Sequence, residues 1–435
     1  MPNDPLFENL LAGISQIRAV DSHSHVDPEA KHLARPRDAL SLFENYAPGD
    51  LMALGCPAEV GERICDAGAG SIGERWELLA PYYRRLRNGA YARLWERTVR
   101  GLLGAPTLDP AGLEQATARL RELLKPGWYR EVLRDRCHLE VSLLDRDCGQ
   151  GAGCTLDEAD GELLLPVVRT EDFLHVQDRA GLQRLEARGG RTLHTLEDLA
   201  AAQAAFLEDS KRRGAVALKF GIAYRRPLRV ANPTRGEAEA CFRRLTGERG
   251  DGVGYDEAQP LQDWLIHRSL QTAEELDLTV VFHTGLQAGG KNLVANANPT
   301  LLSNLFLEYP GVRFDLFHAG FPYVRECGVL AKYFPNVWAD MAWAHFISQT
   351  GAEQWLLDWL DYVPAGKIIG FGADLGDVEM VWAALQMARE NLARVLAERV
   401  RRGYDTEGQA VDLARIMLRE APGHCYRLEL SWGRV

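Results

Sequence analysis

No two of the eight cysteines in this 435-residue sequence form a C-x-x-C pair. Cys56, Cys65, Cys137, Cys148, Cys154, Cys241, Cys327 and Cys425 are scattered, and reduced thiols are expected. The opening MPNDPLFENLLAGISQIRAVD has neither a basic n-region nor an apolar h-region, so it does not read as a secretory leader, and a cytoplasmic location is expected. No window approaches the roughly 18 consecutive apolar residues that a membrane-spanning helix requires. There is no run of basic residues either. Against 61 Asp and Glu stand 50 Lys and Arg, a net charge of -11, and the local group Arg84, Arg85 and Arg87 has the spacing of a solvated helix face. Nucleic-acid binding, which needs clustered cations against backbone phosphates, is not expected. Disorder is excluded by a hydrophobic fraction of 46%, and no internal repeat or low-complexity tract stands out.

What the sequence does contain is a recurring alternation. Eight short apolar runs are separated mostly by stretches of helical periodicity: 17–21, 138–145, 163–169, 215–220, 278–284, 312–319, 336–342 and 367–374. Their near-continuous hydrophobicity fits strands buried on both faces of a parallel sheet. Eight such units predict an α/β protein of the (β/α)8 barrel type, formed by 1–26 and 137–435. Residues 27–136, broken at Pro48-Gly49, Pro57 and Pro126-Gly127, predict a helical subdomain inserted after the first strand. A second excursion at 221–259, rich in Gly, Arg and Glu, reads as an ordered or mobile loop over one barrel end.

Barrels of this kind carry their chemistry at the C-terminal ends of the strands. The polar residues predicted there form one set: Asp21-Ser22-His23-Ser24-His25 after the first strand, Lys219 after the fourth, His283 after the fifth, His318 after the sixth and Asp374 after the eighth. Side chains alternate along an extended segment, so His23 and His25 point the same way and can grip one ion together. Imidazole and carboxylate ligands suit zinc first, with manganese, iron or cobalt as other fits. Taken singly, an H-x-H pair can be a hydrogen-bonded core pair and Asp374 a helix cap. As an ordered set on five strands they point to a metal. In the loop after the fourth strand, Ala223-Tyr224-Arg225-Arg226 offers a phenol and two guanidiniums, and Arg169 ends the third strand. Guanidinium forks match carboxylates, which points to an acidic small-molecule substrate. His345 is a further candidate for the pocket, while His267 reads as half-buried packing, and Trp338 and Trp343 as packing or pocket wall.

This order of residues resembles the amidohydrolase superfamily of metal-dependent (β/α)8 barrels. The strings GAVALKFGIAYRRPL, FHTGLQ, NPTLLSNLFLEYPGVRFDLFHAGFPY and NVWADMAW are similar to its amidohydrolase 2 branch, including amidohydrolase-like domains found fused to glutamine-synthetase-like domains. The helical insertion starting at LFENYAPGDLMALGCP is similar in placement to that of uronate isomerases. GFGADLG departs from a Gly-Ser-Asp pattern common in relatives but keeps Asp374 in register. The resemblance implies that His23, His25, His283 and Asp374 hold one zinc ion, with Asp374 also taking a proton from the attacking water. His318 would hydrogen-bond a developing oxyanion or ligate a second ion. Lys219 is either a carbamate bridging two metals or an ammonium facing an anionic substrate, and the Tyr224, Arg225 and Arg226 loop favours the ammonium.

The reaction implied is hydrolysis of an amide or lactone of a small carboxylated molecule in a cytoplasmic enzyme. A metal-dependent decarboxylase or a uronate-type isomerase would use the same site. A metal- or ligand-binding barrel without turnover belongs to another class. Assembly of identical chains is compatible with all of these.

Overall fold

The structure is a computed structural model that describes residues 4–146, 161–246 and 252–430. Eight strands lie in the order of the chain, each parallel to the next. They are β1 (Ala19–Ser24), β2 (Leu139–Leu144), β3 (Leu164–Arg169), β4 (Ala217–Phe220), β5 (Thr279–Phe282), β6 (Phe314–Leu316), β7 (Val337–Asp340) and β8 (Ile368–Ile369). Seven fall inside the apolar runs read from the sequence, while β1 begins inside the run 17–21 and continues to Ser24, so that His23 lies within the strand rather than after it. Beyond β8 the chain closes the ring onto β1: Ser22 N–H donates to Phe371 O, Asp374 N–H to His23 O and His25 N–H to Leu375 O. The result is a (β/α)8 barrel.

The seam where the ring closes explains the glycine in GFGADLG. A Cβ on Gly372 would lie 2.5 Å from Ser22 Oγ and 2.6 Å from the Ala342 Cβ, so only glycine lets β1, β7 and the segment after β8 approach this closely. At the opposite end of the barrel the helix Ala421–Tyr426 acts as a plug. Cys425 O accepts hydrogen bonds from Thr279 Oγ1 and Arg313 Nε at 2.6 and 2.7 Å. Tyr426 packs with inward-facing Leu143, Val167, Val281 and Ile369 and donates its hydroxyl proton to Asp315. Among the described residues, the plug leaves the C-terminal ends of the strands as the open end of the barrel.

Between β1 and β2 the chain forms six α-helices from Glu29 to Leu123, with π-helical turns at Thr98–Leu102 and Arg130–Arg136. Their apolar faces share one continuous core with the barrel helices. Buried polar contacts fasten them to the start of the last long helix, Val378–Arg401. His32 Nε2 lies 3.1 Å from Glu379 Oε1, Trp128 Nε1 donates to the same oxygen at 2.7 Å, and Arg37 pairs with Asp377. Asn45 reaches the other Asp377 oxygen at 2.8 Å. Arg84, Arg85 and Arg87 lie on an exposed face, as their spacing predicts.

The excursion after β4 differs from expectation, because residues Arg235–Thr246 are a helix rather than loop. Thr234 and Glu237 make a reciprocal cap: Glu237 N–H donates to Thr234 Oγ1 at 3.3 Å and Thr234 N–H to Glu237 Oε2 at 2.7 Å. The T-x-x-E signal was present in NPTRGEAEA but was masked by its glycine and arginine content. Among the described residues Cys56, Cys65, Cys137, Cys241, Cys327 and Cys425 are free thiols. Cys148 and Cys154 lie outside them. No helix among the described residues is long and apolar enough to cross a membrane.

Candidate metal centre and its cavity

The barrel brings His23, His25, Lys219, His283, His318 and Asp374 together at one end. His23 Nε2 and His25 Nε2 lie 3.2 and 3.0 Å from Asp374 Oδ1, and His318 Nδ1 lies 3.8 Å from Asp374 Oδ2. His283 Nδ1 faces His318 Nε2 at 3.0 Å. All are buried except His25, which is partly open to the cavity. Three residues that shape the centre, His318, Trp343 and Asp374, hold φ of 66°, 64° and 51°, and Tyr46 beside them holds 61°. Non-glycine residues seldom occupy this left-handed region, and such strain gathers at functional sites.

Hydrogen bonds to backbone carbonyls fix which imidazole nitrogens carry protons, because a carbonyl only accepts. His318 Nδ1 lies 3.0 Å from Ala342 O and His283 Nε2 lies 2.9 Å from Leu286 O, so both nitrogens are donors. The nitrogens left over, His318 Nε2 and His283 Nδ1, are lone pairs facing each other. His25 behaves the same way: Nδ1 lies 2.5 Å from Asp145 O, which leaves the Nε2 lone pair turned to a carboxylate oxygen. Burial, reinforced by the nearby Lys219 charge, lowers the His318 imidazole to about 4 and holds His23 and His283 well below the ordinary histidine value. These rings are therefore neutral near pH 7. A set of inward-facing acceptors with its protons directed outward is what a divalent cation requires of its ligands. The donor set fits a metal ion.

Two acids of the site, Asp145 and Glu171, were not singled out in the sequence. Asp145, at the end of β2, is fully buried. It takes both Nε and Nη2 of Arg169, at 3.0 and 2.6 Å, and Lys219 Nζ at 3.2 Å. Burial pushes the Asp145 carboxyl up, but Arg169 and Lys219 overcome this and hold it well below the usual carboxylate range. Burial also pulls Lys219 down, against the pull of Asp145. Lys219 Nζ lies 2.6 Å from His23 Nε2 and 4.8 Å from the Phe317 ring centre. His23, His25 and Asp145 could themselves hold a metal, with ligand atoms all within 4.8 Å of one another. Asp145 is already saturated by two cations, however, whereas Asp374 faces imidazole lone pairs. Asp374 is therefore the better-suited carboxylate.

Asp145→Asn is expected to destabilise the fold by about 3–5 kcal/mol, since it strands the buried Lys219 and takes the carboxylate from Arg169; urea unfolding measures this. The same linkage gives a pH dependence. Because the folded-state value is depressed, the contribution is full above the ordinary aspartate value of about 3.9 and is lost as pH falls towards the folded-state value.

Tyr46, from the helical segment after β1, clasps the centre from one side. Its hydroxyl donates to Asp374 O at 2.5 Å, and its ring stacks on Trp343 with centroids 4.4 Å apart. Asn45 Oδ1 accepts from Gly376 N–H at 3.3 Å. A cavity of about 440 Å³ opens at the centre, lined by His25, Tyr46 and Asp374 together with Arg169, Tyr224 and Arg225. Tyr224 stacks near His283, with ring centroids 4.7 Å apart, and its hydroxyl accepts from Ala288 N–H at 3.1 Å.

Arg226 is placed elsewhere. It is buried outside this cavity, with Nη2 2.6 Å from Asp263 Oδ1 and Nη1 3.0 Å from Arg229 O. The expectation that it faces the ligand is corrected: the Asp263 carboxylate, on the helix Gln259–Glu275, captures it as a strut for the loop. His345 is likewise a structural pin, with Nε2 2.8 Å from Gly370 O and Nδ1 3.2 Å from Asn391 Nδ2. His267 bridges Tyr309 and the Ala231 carbonyl, as packing would have it.

Residues 186–401 match the family described as Amidohydrolase, a stretch that takes in Lys219, His283, His318 and Asp374 but not His23 and His25. Protein fluG of Emericella nidulans is 30% identical over 222 residues, which are 49% of this chain and 26% of that protein. The match thus spans about a quarter of the relative's length. Among solved structures, a uronate isomerase from Thermotoga maritima superposes with a TM-score of 0.78 at 18% identity, over 98% of both chains. A glucuronate isomerase from Caulobacter crescentus gives 0.79 at 18% identity, over 100% of this chain and 97% of the other. At such identity these likenesses establish the fold.

Proposed function

We propose, from the match of residues 186–401 to the amidohydrolase family, that this chain is a metal-dependent hydrolase of a small carboxylated molecule. The bond cleaved is an amide or lactone. The observation that carries the metal is the acceptor set: His23 and His25 Nε2 on Asp374 Oδ1, with the lone pair of His283 Nδ1 facing His318 Nε2 in the same cluster. These four residues would hold one divalent ion, and zinc suits them best. When bound, such an ion acts as a Lewis acid on a carbonyl oxygen and lowers the pKa of water.

The chain's own groups supply the rest. Asp374 Oδ2, the oxygen turned away from His23 and His25, accepts the proton of the attacking water and passes it to the leaving group. Arg225 and Tyr224 hold the substrate carboxylate, and Arg169 and Lys219 add positive charge to the same wall. The Asp145 ion pair keeps Lys219 as an ammonium rather than a carbamate. Lys219→Ala is therefore expected to leave the metal content at about one ion per chain while weakening turnover of anionic substrates. A fall from two ions to one on elemental analysis would instead assign Lys219 as a bridging carbamate.

A second reading is favoured by one observation: the likeness to the two isomerases covers nearly the whole chain, including the helices between β1 and β2. In that reading the same site interconverts aldose and ketose forms of a sugar acid. Metal-loaded protein incubated with acyl-amino acids, lactones, aromatic carboxylates and uronates separates the readings. Release of a new carboxyl group supports hydrolysis, whereas aldose-to-ketose conversion seen by NMR, or release of carbon dioxide, overturns it. Turnover of none of these by metal-loaded protein would favour a binding barrel.

A further inference from the structure

The wall of the cavity contains polar side chains, Glu171 and His175, that the chemistry above does not use. Glu171, in the short helix after β3, is 3% exposed and lines the cavity. Its Oε1 accepts the Gly221 N–H. Its Oε2 has no donor among the described residues, and the same is true of two neighbouring buried atoms, His175 Nε2 and the Tyr255 hydroxyl. The four side chains are close. The His175 and Tyr255 rings are 5.8 Å apart, the Arg225 guanidinium lies 5.7 Å from the Tyr255 ring centre, and Glu171 is one helical turn before His175. Arg225 is exposed to the cavity and has no carboxylate partner among the described residues.

Unsatisfied buried polar atoms are rare in folded proteins because each costs the desolvation of its group. Glu171 and His175, which carry two of them, line the cavity, and Tyr255, which carries the third, packs under the Arg225 guanidinium, which has no carboxylate partner among the described residues; together they indicate a subsite whose partners arrive with the ligand. We propose that Glu171, His175, Arg225 and Tyr255 form a recognition subsite for a carboxylate that carries a hydrogen-bond donor, a hydroxyl or an ammonium, on the adjacent carbon. Arg225 takes the carboxylate and Glu171 Oε2 accepts from the donor. The inference rests on the reading of this cavity as the substrate site, and makes Glu171 a specificity residue for it. A site built to hydrogen-bond a substrate donor rejects the analogue that lacks it, because its own acceptor is then left unpaired.

The test uses three probes with one carbon skeleton: glutarate, 2-hydroxyglutarate and L-glutamate, titrated by calorimetry into the metal-loaded full chain. Glu171→Gln is the informative variant. Its amide oxygen keeps the Gly221 N–H, and its amide nitrogen replaces the free acceptor with a donor. The hydroxy or amino probe is expected to bind on the order of tenfold more tightly than glutarate; Glu171→Gln is expected to abolish a preference for L-glutamate, whose ammonium can only donate, and to reduce one for 2-hydroxyglutarate, whose hydroxyl can also accept from the new amide. Arg225→Gln should weaken all three probes alike. Preference for 2-hydroxyglutarate identifies the hydroxyl arm and preference for L-glutamate the ammonium arm. Equal binding of glutarate, a preference unchanged in Glu171→Gln, or no binding of any probe at millimolar concentration overturns the subsite. Metal content is measured on the same samples, so such a failure leaves the metal centre standing, whereas protein without metal fails the earlier reading first. If Glu171→Gln unfolds, Glu171→Asp, which withdraws the carboxylate by one methylene, is expected to reduce the preference without abolishing it.

Discussion

The double substitution His23→Ala with His25→Ala is expected to leave the purified chain without a bound divalent ion. Both imidazoles project from the end of β1 towards the same Asp374 oxygen, at 3.2 and 3.0 Å. Neither can be replaced locally, since Ser22 and Ser24 between and beside them face the barrel seam. With them gone, His283 and Asp374 alone are too few for tight binding at a site of zinc type, which takes three or four protein ligands. Elemental analysis after dialysis reads the result directly, and the cooperativity of thermal unfolding shows whether the barrel persists. Stoichiometric metal in the folded double variant would remove His23 and His25 from the ligand set.

A second large effect is expected for Asp374→Asn. The backbone there is left-handed, with φ of 51°. Asn tolerates this region as well as Asp does, so the substitution introduces no new strain. The Tyr46 hydroxyl still finds the residue-374 carbonyl, which accepts it at 2.5 Å whatever the side chain. The carboxamide keeps an oxygen that can face a cation but cannot take up a proton. Turnover is expected to fall by on the order of 100-fold or more, with metal content retained and the fold intact. Near-normal turnover in metal-loaded Asp374→Asn would show that another group moves the proton.

Much of this architecture was legible in the sequence because parallel strands buried on both faces must be apolar throughout. Runs such as LTVVFHT and VRFDLFHA therefore marked both a strand and, at its polar end, a residue of the site. The glycine at 372 was visible, but its reason, contact with Ser22 and Ala342 across the barrel seam, exists only after closure. Asp145 was harder to see. It ends β2 as one acid among many, and what distinguishes it is its pairing with Arg169 and Lys219 from β3 and β4. Arg226 misled for the complementary reason: its spacing beside Arg225 suggested a shared direction, while Asp263 captured its side chain. Tyr46 carries no local signal at all. It reaches Asp374 because the helices after β1 are fastened to Asp377 and Glu379 beyond β8, a long-range arrangement that residue periodicity does not encode.

The central claim is that one divalent ion sits among His23, His25, His283 and Asp374. Crystals of the purified chain, with diffraction recorded on both sides of the absorption edge of the metal identified by elemental analysis, test it most directly. The expected result is a single strong anomalous peak within ligand distance of His23 Nε2, His25 Nε2, His283 Nδ1 and an Asp374 oxygen, with Lys219 Nζ still on Asp145. Two peaks of equal height bridged through Lys219 would contradict the single-metal account. A peak only at the buried His32, Asp377 and Glu379 cluster, the other group able to hold an ion among the described residues, would contradict the site itself.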